Sequence, residues 1–81
     1  MTFKMTDLEK SIVSTFFNAD GEYIEQVASD IVSKMGFPPY ATRSVSAVIG
    51  SLTRKGVLNH KEEKKGLKIH FLSEAYLETI Q

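Results

Sequence analysis

The chain has 81 residues, 42 % of them hydrophobic and 25 % charged, with ten basic side chains balancing ten acidic ones and no cysteine. That length supports one domain over residues 1–81 with a single modest core, and that composition argues against wholesale disorder. Lack of cysteine excludes a disulfide scaffold, a thiolate metal centre and a cysteine nucleophile. No apolar run reaches the roughly 20 residues a membrane span needs, and Asp7 and Glu9 interrupt any export signal, so a cytoplasmic protein with no membrane partner is expected.

Thr6-Asp7-Leu8-Glu9 fits a capping box, and Leu8, Ile12, Val13, Phe16 and Phe17 follow at helical spacing. Asn18-Ala19-Asp20-Gly21 ends this first helix as a turn. A second helix is predicted from Tyr23 or Ile24 to Met35, on the pattern Ile24, Val27, Ala28, Ile31, Val32 and Met35, with Gly36 as its left-handed cap. Glu22-Tyr23-Ile24 also fits a very short strand, and both readings stand. Phe37-Pro38-Pro39-Tyr40 is expected to be non-helical. Thr42 is expected to cap a third helix through Lys55, with Val45, Val48, Ile49 and Leu52 buried and Gly56 as its stop. Val57-Leu58 opens a strand, and Leu67, Ile69 and Phe71 alternate in a second strand whose buried face they are expected to form. Lys61 to Gly66 (KEEKKG) reads as a charged hairpin tip, and Ser73 as the cap of a last short helix. The predicted class is α+β: three helices, a β-hairpin and a short C-terminal helix.

The neutral total conceals a polarised chain. Residues 1–40 carry three lysines against six acids; residues 41–70 carry seven bases against Glu62 and Glu63; the tail adds Glu74 and Glu78. Such asymmetry fits a solvated surface, or an anionic partner for the middle segment. The third helix favours the partner. At about 100° per residue, the sector opposite Val45, Val48, Ile49 and Leu52 holds Arg43, Ala47, Gly50 and Arg54, flanked by Ser46 and Ser51. Gly50 inside a helix costs about 1 kcal/mol relative to Ala. Two arginines separated by nearly bare backbone suit close approach to a DNA major groove, where arginine pairs bidentately with guanine.

Here the chain resembles the winged helix-turn-helix domains of bacterial transcriptional regulators. Thr42 to Leu58 (TRSVSAVIGSLTRKGVL) is similar to their recognition helix, most specifically in Leu52-Thr53-Arg54-Lys55-Gly56-Val57-Leu58. The element order extends the resemblance over about residues 6 to 72. It implies sequence-specific double-stranded DNA binding and transcription regulation, with the third helix reading bases and the hairpin wing on the backbone. The DNA-binding residues so implied are Thr42, Arg43, Ser44, Ser46, Ala47, Gly50, Ser51, Arg54 and Lys55 on the helix, and Lys61, Lys64, Lys65 and Lys68 on the wing. Two features depart from the pattern: the Gly36–Ala41 connection is long and holds Pro38-Pro39, and Glu62 and Glu63 place acid in the wing tip. Phosphate contacts by Arg43, Arg54, Lys61, Lys65 and Lys68 would give a salt slope of about −4 to −5 for one copy. Paired half-sites would suit a homodimer, with Tyr76, Leu77 and Ile80, or Phe3 and Met5, either forming its seam or closing the core.

An enzyme is not expected. His60 and His70 lie in facing strands but lack a third ligand, and no nucleophile elbow, phosphate loop or dinucleotide fingerprint occurs, so no metal or cofactor is implied. The rival is a winged-helix module that binds a larger protein complex through Pro38-Pro39-Tyr40 and the acidic first half.

Overall fold

A computed structural model describes residues 3–80. The first helix, α1 (Asp7–Ser14), begins in the expected capping box. The Thr6 N–H donates to Glu9 Oε1 at 2.8 Å, and the Glu9 N–H donates to Thr6 Oγ1 at 3.2 Å. Ile12 and Val13 turn inward, and Phe16, just past the helix, is fully enclosed.

The second helix, α2, spans only Ala28–Lys34. Its predicted first turn is pulled into β-pairing instead. Phe17 bridges Tyr23 and Gln26 bridges His70, both antiparallel, so the short-strand alternative describes this segment better. The Ile24 N–H donates to Phe16 O at 2.7 Å and the Gln26 N–H to His70 O at 3.0 Å, which takes backbone donors a helix would have used. Buried Gln26 is satisfied in turn: its Nε2 donates to Thr15 Oγ1, and Lys34 Nζ donates to its Oε1, each at 2.7 Å.

The proline connection also corrects the expectation. Pro39–Ala41 forms a 3-10 turn that runs directly into α3 (Thr42–Arg54), with Pro39 at the first helical position, where its missing N–H costs nothing. Thr42 therefore lies inside the helical run and caps nothing. Its hydroxyl donates back to Pro39 O at 2.7 Å. Val45, Ile49 and Leu52 are buried as the wheel requires, together with Ile31 and Val32 of α2, whereas Val48, expected in the same stripe, is only half-buried at its edge.

Lys55 closes α3, and Gly56 follows at φ +85°. The Val57 N–H donates to Leu52 O at 3.0 Å and the Gly56 N–H to Thr53 O at 3.1 Å, the paired bonds of a Schellman cap. A Cβ on Gly56 would come no closer than 3.7 Å to Phe3, so the requirement for glycine is conformational rather than steric. Gly56→Val is expected to cost about 2 kcal/mol, lowering the melting temperature by roughly 8–16 °C, whereas Gly56→Asn should lose much less. An unchanged melting temperature in the valine variant would show that this backbone conformation is not required.

Strands β1 (Leu58–Lys64) and β2 (Leu67–Leu72) pair antiparallel, with His60 opposite His70 and Leu58 opposite Leu72. The tip is shorter than predicted. Both strands extend into the charged run, Lys65-Gly66 makes the turn, and the register shifts between Glu62 and Lys64. The buried face of β2 is also the other one. Leu58 and Leu72 enter the core, so the alternation leaves Ile69 and Phe71 half-covered and Leu67 exposed. Ser73 caps α4 (Glu74–Ile80) by accepting from the Tyr76 N–H at 3.1 Å. Phe3 meets Tyr76 edge-to-face at 5.7 Å, and Met5 and Leu77 pack on the same core; Ile80 stays exposed. The described residues thus form an α+β arrangement in the predicted order of three helices, hairpin and helix. Among them no helix is long and apolar enough to cross a membrane.

Candidate nucleic-acid interface

α3 lies with its apolar stripe on the core, so the opposite sector is presented outward. Arg43, Ser44, Ser46, Ala47 and Arg54 are exposed, and Gly50 is half-covered beneath Arg54. A Cβ at Gly50 would meet only Arg54 Nη1, at 3.5 Å, so core packing gives no reason for a glycine there. The two arginines are eleven positions apart, or about 16 Å along the helix axis. The result is a narrow strip of short side chains, with Arg43 at one end and the Arg54 guanidinium lying back over Gly50 at the other.

Two of the predicted helix residues are committed elsewhere. Ser51 Oγ donates to Glu9 Oε2 at 3.1 Å, and Lys55 Nζ donates to Glu9 Oε1 at 2.7 Å. Glu9 is only 3 % exposed, so this is a carboxylate taken out of water and compensated on every side. The Lys55 ammonium, then the Thr6 amide and the Ser51 hydroxyl, lower its pKa to about 2 against the opposing effect of burial. These contacts make Ser51 and Lys55 part of the α1–α3 junction. Sequence reading assigned Glu9 to the capping box alone. Yet Glu9 precedes Ile12, Val13 and Phe16 by three, four and seven residues, which places an acid on the buried stripe and was a readable signal of a buried partner.

On the hairpin, Lys61 pairs with Glu25 at 3.1 Å, both half-exposed, a contact worth little in stability but one that occupies this lysine. Lys64, Lys65 and Lys68 are exposed, and with Arg43 and Arg54 they form no ion pair among the described residues. The acid at the tip has a structural use, since Glu62 Oε1 accepts from the Gly66 N–H at 3.2 Å across the turn.

His60 and His70 face each other with ring centroids 6.1 Å apart. Burial, followed by the nearby His60 and Lys68, lowers the His70 pKa, and its Nδ1 is enclosed with no hydrogen-bond partner. Among the described residues no group of three or more histidine or carboxylate side chains could hold a metal ion. On the other flank of α3, Leu8, Phe37, Pro38, Tyr40, Ala41 and Val48 surround a shallow apolar depression of about 250 Å³, and Tyr40 is 86 % exposed. No protein-family model, curated protein or solved structure matches the chain.

Proposed function

We propose that the chain is a small winged helix-turn-helix regulator that binds duplex DNA, with α3 in the major groove and the β1–β2 hairpin as the wing on the backbone. The observation that carries this reading is the outward strip of Arg43, Ala47, Gly50 and Arg54 over a helix whose opposite face packs on the core through Val45, Ile49 and Leu52. With Arg54 extended from Gly50 toward a base, the helix backbone can approach base edges because only short side chains stand between the arginines, and each guanidinium presents the fork that matches guanine O6 and N7. Lys64, Lys65 and Lys68 extend the positive surface along the hairpin. With Lys55 and Lys61 occupied and the arginines assigned to bases, phosphate neutralisation falls to Lys64, Lys65 and Lys68, which lowers the salt slope to about −3 for one copy.

Arg43→Ala and Arg54→Ala are each expected to cost roughly 1–3 kcal/mol at the cognate site and to relax base preference at the position contacted. Lys65→Ala should instead weaken all sequences alike and flatten the salt slope by about one unit. Affinity measured across single-base variants of the site separates the two behaviours. Undiminished affinity in both arginine variants would remove α3 as the reader.

A second reading, a module that binds a protein partner, is favoured by the exposed Tyr40, Phe37 and Leu8 beside the same helix. Tyrosine and phenylalanine are enriched in interface cores. Tyr40→Ala separates the readings, since it should leave duplex affinity intact and release a protein partner.

A further inference from the structure

A groove of about 580 Å³ runs between α3 and the hairpin, bounded at one end by the start of α2. This volume lies in the range of small-molecule sites, about 300–1,000 Å³. Val27, Ala28, Ile49 and Leu67 give it an apolar lining, and Arg54 and Lys68 stand over it. No carboxylate lines it. Gly50 borders the same space, and any larger residue there would intrude into it. A large side chain at this helix-interior glycine, which the core does not demand, would narrow the groove.

The sign of the local charge selects the ligand. A cation would meet Arg54 and Lys68 with no carboxylate to offset them, and the two facing imidazoles alone leave a metal under-coordinated. An anion is attracted by both bases. A bare, strongly hydrated phosphate would gain nothing from Val27, Ile49 and Leu67 and would lose water against them. A ligand with an anionic head and an apolar body satisfies both halves of the groove.

We propose that the groove between α3 and the hairpin binds an organic anion, its carboxylate, sulfonate or phosphate held by Arg54 and Lys68 and its apolar body laid against Val27, Ile49 and Leu67. Binding itself does not depend on the DNA reading. Its regulatory consequence does, because an occupied groove covers Gly50 and engages Arg54, removing half of the strip proposed to read bases. The same charged head could be supplied by a DNA phosphodiester, and the controls below distinguish that source from a free ligand.

The test is an amide-resolved NMR titration of the protein without DNA, using naphthalene-2-sulfonate, its uncharged sulfonamide and inorganic phosphate. The sulfonate should shift amides confined to residues 27–29, 49–54 and 66–70, and bind about tenfold tighter than either control, the worth of one charge-assisted hydrogen bond. Lys68→Met should weaken it by about the same factor. Gly50→Leu, which fills the groove while favouring helix, should abolish it with no loss of melting temperature. Shifts scattered over the surface, equal binding of the sulfonamide, or phosphate binding as tightly as the sulfonate would each overturn the proposal. The last result would identify a site for bare phosphodiester. A protein that binds the sulfonate in the groove but no duplex would retain the site and lose the DNA reading.

Discussion

Ala47→Glu is expected to reduce duplex affinity by about 100-fold or more, without unfolding the protein. Ala47 is exposed at the middle of the outward face of α3, so its replacement disturbs no core contact, and glutamate is a good helix former. In the proposed complex the carboxylate would sit where the helix comes closest to DNA. Like-charge juxtaposition across an interface costs several kcal/mol, and about 3 kcal/mol corresponds to that loss. Glutamate at 47 also lies one turn from Arg43, within reach of its guanidinium, and would withdraw that arginine from any base. Isothermal titration with a cognate duplex, alongside a thermal melt, checks both halves. A folded variant that binds as tightly as the parent would show that Ala47 does not enter a groove.

The second large effect concerns stability. Glu9→Ala is expected to cost about 3 kcal/mol, because one carboxylate accepts from the Thr6 amide, the Ser51 hydroxyl and the Lys55 ammonium at the α1–α3 junction. The alanine would leave the Lys55 head free to turn to water, since that side chain is 37 % exposed, which keeps the loss at the lower end for a broken buried pair. The acid limb gives an independent check. Glu9 titrates near 2 in the fold against 4.5 for a free glutamate, so the unfolded chain takes up its proton first as pH falls. The stabilisation is therefore complete above pH 4.5 and is lost progressively between pH 4.5 and 2. Glu9→Ala should flatten the stability profile over that interval. Parallel acid limbs in the two proteins would mean the carboxylate is not held as described.

Helix-forming segments were legible where one signal dominated. The Thr6 capping box, the stripe of Val45, Val48, Ile49 and Leu52 and the Gly56 stop are local codes, and each occurs in the structure as the sequence specifies except that Val48 is only half-buried. Two of the failures come from pairing with segments outside the element itself. Tyr23 to Val27 carries a helical pattern, but its backbone is claimed by Phe16 and Phe17 across the preceding turn and by His70, a partner that no local window contains. In β2, alternation shows that two faces exist and not which one meets the core; the Leu58–Leu72 pair decides it. Pro38-Pro39 looks like a break in sequence because proline stops a helix already under way, whereas Pro39 here begins one.

For the candidate site, the wheel placed the outward residues of α3 correctly, because burial of the opposite stripe fixes them. It did not anticipate that Ser51 and Lys55 turn toward α1, since that depends on a carboxylate more than forty positions away. Nor did composition reveal the groove beside Gly50, which exists only once the hairpin folds back along α3.

The most direct measurement of the central claim is selection from random duplexes by the purified protein at two salt concentrations. An enriched sequence is expected, its base preferences relaxed in Arg54→Ala, with affinity falling steeply between the two salts. A pool that remains random at both salts would contradict base reading by α3.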